Sequence, residues 1–310
     1  MTWVVALLAA VVALVAGGCG DDGAEPGASR EATLVLDFAP NAAHAPLYLA
    51  RERGLFERRG ARVEIRAPGA STDAPKLLSA GRADFAILDI QDLAIARERG
   101  LDLVAVAPLV NRPLAAVLSR VPPAALAGAR VGVTGLPSDD AVLDTVLRGA
   151  GVDPGAPERV TIGFQSVAAL AAGRVDAATA FRNAEAVELR RRGVPLRVLG
   201  VERFGAPPYP ELVVVTRGET ARSEPELVEA VAAAIEEGAA AVRSEPEAGL
   251  DALLAASAGL DRETQAAQLE VVRDALGGEF DREVLERWAR WAAERGIVTD
   301  PPDVAAAFPR

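Results

Sequence analysis

The sequence predicts an α/β protein built as two similar lobes around a cleft, and three observations carry that expectation. A helix-like run ends in the phrase Leu78-Ser79-Ala80-Gly81-Arg82-Ala83-Asp84-Phe85-Ala86-Ile87, and the phrase returns 92 residues later as Leu170-Ala171-Ala172-Gly173-Arg174-Val175-Asp176-Ala177-Ala178-Thr179. Each copy reads as a helix stopped by glycine, a charged turn and a short apolar strand. Around both copies strands and helices alternate, which calls for mostly parallel sheets covered by helices. Finally, Pro113 to Ser119, punctuated by Pro122-Pro123 and Gly128, looks like a crossing between lobes, and the proline-rich Pro207-Pro208-Tyr209-Pro210 leads into a second. A cleft between two lobes is a natural place to hold a small ligand.

In order, the first unit reads as strand Thr33–Leu36, helix His44–Arg53, strand Val63–Ile65, helix Asp73–Ala80, strand Phe85–Leu88, helix Gln91–Arg99 and strand Leu103–Val106. After the first crossing come strand Arg130–Thr134, helix Asp139–Arg148, strand Arg159–Ile162, helix Ser166–Ala172, strand Ala177–Ala180, helix Ala184–Arg192 and strand Leu196–Leu199. The β-branched run Leu212–Thr216 reads as the return crossing. The expected boundaries are therefore residues 31–115 plus 217–310 for a discontinuous lobe 1 and 116–216 for an inserted lobe 2. The tail reads as helical, with capping boxes expected at Ser223-Glu224-Pro225-Glu226 and Ser244-Glu245-Pro246-Glu247. Val284, Leu285, Trp288 and Ala292 share one face of a last amphipathic helix, so Trp288 and Trp291 are expected to pack on lobe 1.

The amino terminus carries a 14-residue apolar run, Trp3 to Ala16, followed by Gly17, Gly18 and Cys19. That is shorter than the ~20 residues a membrane-spanning helix needs. The run Leu14-Val15-Ala16-Gly17-Gly18-Cys19 looks like a bacterial lipoprotein signal, with Cys19 as the lipidated first residue of the mature protein. Residues 20–30 are small and polar and read as a flexible tether. The chain is expected to be exported and lipid-anchored to the outer face of the cytoplasmic membrane. Cys19 is the only cysteine, so no intramolecular disulfide and no cysteine metal site can form. A net charge of −11 opposes nucleic-acid binding. Only 4% of residues are aromatic, so an aromatic side chain near the cleft is informative.

In open α/β sheets ligands sit beyond the carboxyl ends of strands. Beyond the first strand stands Leu36-Asp37-Phe38-Ala39-Pro40-Asn41-Ala42-Ala43-His44-Ala45-Pro46-Leu47-Tyr48. This segment resembles the opening motif of the thiamine-pyrimidine-precursor-binding family, solute receptors of ABC importers. The resemblance continues through Arg53-Gly54-Leu55-Phe56, Gly81-Arg82-Ala83-Asp84-Phe85-Ala86, Pro113-Leu114, Gly132-Val133 and Phe181-Arg182-Asn183-Ala184-Glu185, covering about residues 33–217 in order.

That resemblance implies a type II periplasmic-binding-protein fold and a monomeric receptor that delivers its cargo to an ABC permease. It implies that Asp37, Phe38, Asn41 and His44 line the cleft from lobe 1 and that Glu185 reaches it from lobe 2. An aminopyrimidine suits such a site: its flat ring packs on Phe38 or Phe181, and its amine and ring nitrogens pair with a carboxyl group. Ser71, Asp89 and Asn183 complete the expected ligand set. Each position has a second reading: Asp37 and Asn41 as caps of the following helix, His44 as a satisfied first-turn residue, Tyr48 as core, Glu185 as one of several surface acids on its helix. Sulfonate-binding relatives with this fold hold an anion at a helix start. Here the corresponding helix opens with Asp139 and Asp140, which favours a neutral or cationic ligand over a sulfonate.

A eukaryotic pyrimidine synthase that resembles these receptors works with a cofactor-linked lysine, a histidine and a cysteine cluster. Aligning its Gly-basic-x-Asp phrase on Gly81-Arg82-Ala83-Asp84 places Leu88 at the lysine and Asp92 at the histidine. Lys76, the sole lysine, falls on the preceding helix. The expectation is therefore a receptor with no catalytic residue, cofactor or metal, the alternatives being a receptor for a sulfonate or amine, or a synthase-like enzyme.

Overall fold

The computed structural model describes residues 29–69 and 73–309. Cys19, residues 20–28 of the expected tether and Ser71 lie outside the described residues; Arg30, expected to end the tether, instead opens the first strand.

The first unit comprises β1 (Arg30–Val35), α1 (Ala45–Glu52), β2 (Ala61–Arg66), α2 (Asp73–Ser79), β3 (Phe85–Asp89), α3 (Ile90–Glu98) and β4 (Leu103–Val110). The second comprises β5 (Ala115–Ser119), β6 (Arg130–Val133), α4 (Pro137–Gly149), β7 (Glu158–Thr161), α5 (Ser166–Ala171), β8 (Ala177–Phe181), α6 (Glu185–Arg191) and β9 (Arg197–Gly200). The chain closes with β10 (Leu212–Arg217), α7 (Gly218–Ser223), α8 (Pro225–Ser244), α9 (Pro246–Ala256), α10 (Arg262–Val272), α11 (Arg282–Glu294) and α12 (Val304–Ala307).

Two five-stranded sheets result, ordered β2-β1-β3-β10-β4 and β7-β6-β8-β5-β9. The order is the same in both. Each sheet holds four mutually parallel strands and one antiparallel strand, and the antiparallel one (β10 or β5) is the strand that has just arrived from the other unit. Because β5 already belongs to the second sheet, the outgoing crossing is confined to residues 111–114. Because β10 pairs with both β3 and β4, Leu212–Thr216 is not the return crossing, which must precede it. Residues 212–216, assigned to lobe 2 from sequence, therefore belong with the first sheet.

The repeated phrase has a structural explanation. Gly81 and Gly173 end α2 and α5 in the left-handed region, at φ 67° and 65°. Three residues later Asp84 Oδ2 accepts the Thr33 amide at 2.8 Å, and Asp176 Oδ2 accepts the Arg130 amide at 2.9 Å. The backbone amides of the same two aspartates donate to the Thr33 and Arg130 carbonyls. Each aspartate thus pairs a residue of the neighbouring parallel strand, Thr33 of β1 or Arg130 of β6, just before β3 or β8 begins, where that amide would otherwise lack a partner.

The first core lies between the first sheet and α1, α8, α9 and α10; Tyr48 is part of it, which settles that residue as core. Helix α8 approaches α1 so closely at Gly238 that a Cβ there would stand 2.4 Å from the Pro46 carbonyl oxygen. A second core runs from β3, β4 and β10 across to β5, β6 and α4 and takes in Trp288 and Trp291. Trp291 stacks on Tyr209 of the return crossing with ring centroids 6.2 Å apart, so the last long helix buttresses the hinge as well as lobe 1. Neither predicted capping box forms. Pro225 and Pro246 occupy the first helical positions, which leaves Glu224 and Glu245 as the N-caps. Ser223 and Ser244 end the preceding helices, and their hydroxyls donate back to the Glu219 and Ala240 carbonyls.

Candidate functional site

Where the carboxyl ends of the two sheets face each other, the chain encloses a cavity of about 80 Å³. The loop after β1 contributes Asp37, Phe38 and Asn41, the end of β3 contributes Leu88 and Asp89, and α3 contributes Asp92. From the other side come Thr134, Leu136, Ser138 and Asp139 at the start of α4, Phe164 before α5, Phe181 at the end of β8 and Glu185 at the start of α6. Phe38 and Phe164 meet edge to face across the cleft with centroids 4.4 Å apart.

Five carboxyl groups surround this cavity, and no lysine, arginine or histidine lines it among the described residues. Four of the five are held by hydrogen bonds. Asp37 Oδ1 accepts from His44 Nε2 at 2.9 Å. The Asn41 amide donates to His44 Nδ1, so that nitrogen carries no proton and the ring hydrogen sits on Nε2. His44 is thus a neutral, fully buried prop behind Asp37. Asp139 accepts from the Thr134 and Thr179 hydroxyls at 2.5 Å each and from the amides of Gly135 and Leu136. Burial pushes its carboxyl up, and those hydrogen bonds pull it back. Asp92 reaches across the cleft: Oδ1 accepts the Ser138 amide at 3.1 Å and Oδ2 the Ser138 hydroxyl at 2.9 Å. Glu185 Oε2 accepts the Phe181 amide at 3.0 Å, with the Ser166 hydroxyl 3.4 Å from Oε1.

Burial raises Asp92 and Glu185 to about 7. Asp89 has no hydrogen-bond partner among the described residues. Burial, with Asp92, Glu211, Asp37 and Asp139 nearby, holds its carboxyl well above the usual range. Such a site accommodates a ligand rich in N–H donors or carrying positive charge, and repels an anion.

At the hinge, Glu211 on the return segment accepts the Leu114 and Ala115 amides at 2.5 and 2.6 Å, tying the two crossings together. Burial raises this carboxyl to about 7 as well. Arg182 adds a hydrogen bond to the Pro113 carbonyl and an ion pair to Glu202.

A family model described as NMT1/THI5 like matches residues 41–249, two thirds of the chain. The chain belongs to this family. The formylaminopyrimidine-binding protein of Halalkalibacterium halodurans is 29% identical over 268 residues, covering 82% of this chain and 81% of that protein. The 4-amino-5-hydroxymethyl-2-methylpyrimidine phosphate synthase of Legionella pneumophila is 24% identical over 229 residues, covering 71% and 72%. Among solved structures, the alkanesulfonate-binding protein SsuA of Xanthomonas axonopodis pv. citri, bound to MOPS, matches with a TM-score of 0.73 at 19% identity, over 90% of this chain and 97% of that one. This NMT1/THI5-like chain therefore has the two-lobed fold of periplasmic binding proteins.

Of the residues expected at the site of this NMT1/THI5-like protein, Asp37, Phe38, Asn41, Asp89, Phe181 and Glu185 line the cavity. Asn41 also caps: its Oδ1 accepts the Ala43 amide and its Nδ2 donates to the Ala39 carbonyl. Two expectations are corrected. His44 does not line the cleft, because its ring is enclosed behind Asp37. Asn183 does not either: it is fully buried in the turn before α6, away from the cavity wall. Phe164, Asp92, Ser138 and Asp139 were not in the expected set. Phe164 had a signal, since it follows the strand at Arg159–Ile162 and so stands at a carboxyl end. Asp140, by contrast, points outward and pairs with Arg159 at 3.1 Å.

Proposed function

We propose that the chain is the solute-binding component of an ABC importer and takes a thiamine-related aminopyrimidine, such as a formylated or hydroxymethylated one. The observation that carries this reading is a small cavity with three phenylalanines at its walls and five carboxyl groups around it, without a cation among the described residues. An aminopyrimidine offers a flat face to Phe38, Phe164 and Phe181, and its exocyclic amine and ring nitrogens can pair with Glu185, Asp89 and Asp37. The formylaminopyrimidine-binding relative supports the same cargo.

Receptor rather than enzyme is the role favoured here. The synthase-like lysine and histidine positions hold Leu88 and Asp92, and Lys76 faces an outer groove instead of the cavity. The alternative sulfonate cargo is disfavoured by the acid-lined wall. A panel of aminopyrimidines, thiamine, amines and alkanesulfonates added to the purified full chain decides the cargo by melting temperature. A ligand at 100 times its dissociation constant stabilises the fold by about 2.7 kcal/mol. Aminopyrimidines are expected to give the largest shift; a shift from sulfonates alone rejects the assignment.

The reading extends to export, with Cys19 lipidated and the folded part tethered as a monomer at the membrane surface beside its permease. Mass spectrometry of the amino-terminal peptide from the membrane fraction is expected to start at a diacylglyceryl-modified Cys19, and a Cys19→Ser variant is expected to leave that fraction. An unmodified terminus would remove the anchor from the proposal.

A further inference from the structure

We propose that Asp92 acts as a built-in occupant of an anion-binding position, one that closes the cleft from within and keeps anionic solutes out. It sits on α3, which belongs with the first sheet, yet both its carboxyl oxygens are spent on Ser138 at the start of α4, which belongs with the second. A 13-residue helix such as α4 presents unpaired amides and the positive end of its dipole at that point. Receptors that carry anions can fill such a position with the ligand. Here the protein fills it with its own carboxyl group, delivered from the opposite lobe, so closure does not require an acidic group on the cargo.

The surroundings sharpen the argument. Asp92, Pro75 and Leu136 stand in the wall shared by the inner cavity and an outer groove of about 710 Å³ that also carries Lys76 and Arg99. Asp139 does not compete for the same donors, because it is occupied by Thr134, Gly135, Leu136 and Thr179. Asp92 is therefore a specificity-determining and positioning residue whose role is independent of which neutral or cationic solute is bound.

The test uses the full chain and two variants, Asp92→Ala and Ser138→Ala, with folding checked by circular dichroism, and its readouts involve no pyrimidine. Asp92→Ala is expected to bind methanesulfonate or inorganic sulfate about tenfold more tightly than the parent, since a freed amide and hydroxyl are worth roughly that factor to a charged acceptor. Hydrogen exchange is expected to speed up at residues 36–41 and 162–166, which meet across the cleft through Phe38 and Phe164. Ser138→Ala, which keeps the amide but loses the hydroxyl, is expected to show faster exchange at the same segments without the gain in anion affinity. A folded Asp92→Ala protein that gains no affinity for either anion, or exchanges like the parent at those segments, overturns the proposal. Because the pyrimidine panel is scored separately, failure of one reading is distinguishable from failure of the other.

Discussion

Glu185→Ala is expected to weaken aminopyrimidine binding by about 100-fold, on the order of 3 kcal/mol. The carboxyl group is 8% exposed, opens α6 and faces the cavity, with one oxygen fixed by the Phe181 amide. That anchor leaves the rest of the group oriented toward a ligand without further ordering cost. Truncation removes a charge-assisted partner and strands the ligand's buried amine. Glu185→Gln keeps the shape and one acceptor and is expected to cost about tenfold. Calorimetric titration of both variants with the best pyrimidine of the panel checks the order. A loss of less than about threefold in the alanine variant would mean that recognition rests elsewhere, with Asp89 the next carboxyl to replace.

The ligand-free protein is expected to lose stability as pH rises from 5 to 8. Glu185, Asp92 and Glu211 are all held up at about 7 by burial, against ordinary values near 4.5 for glutamate and 3.8 for aspartate. Near or below those ordinary values both folded and unfolded chains carry the protons, so no penalty is felt. Between there and about 7 the unfolded chain has released protons that the folded chain retains, so folding takes up protons and each pH unit upward erodes stability. Above about 7 both forms are ionised and the slope vanishes, leaving the folded state with buried charge that costs on the order of 3 kcal/mol per group. Chemical denaturation at pH 5.5 and 8 reads the difference, and Glu185→Gln is expected to flatten part of it. A midpoint that climbs with pH across that window would contradict the assignment of these groups as buried and unpaired with cations. Surface pairs such as Arg53 with Glu245 are mostly exposed and are lost only at lower pH, so they do not mask the trend.

Much of this was legible in the chain, for reasons that are local. The glycine stops at Gly81 and Gly173 mark places where only a left-handed residue lets a helix end and a strand begin, and the aspartates three residues on pair an amide of the neighbouring parallel strand. Loops at strand ends could be read for Asp37, Phe38, Asn41, Asp89, Phe181 and Glu185, because a parallel sheet delivers its carboxyl ends to one side. The same rule reached Phe164 but was not applied to it. His44 and Asn183 lie within the same motifs as the lining residues yet are fully buried and are not among them. Which side chain of a motif faces the ligand and which props it depends on backbone torsions that residue type does not report. The misplaced return crossing has a similar cause: a β-branched run such as Leu212–Thr216 announces a strand but not which sheet will accept it.

The sequence alone therefore determined the alternating elements, the repeated helix-stop phrase and the side of the sheets where a ligand would sit, since each element is encoded in spacing over a dozen or so residues. Only the tertiary structure decided that Asp92 spends its carboxyl on Ser138, that His44 supports Asp37 instead of touching the cavity, and that five acids gather without a cation among the described residues. The first and last of these join residues tens of positions apart on different lobes, and their distances follow from how the two halves turn about residues 111–114 and the segment before Leu212, an angle that no local pattern in the chain records; the second depends on the backbone torsions of one loop.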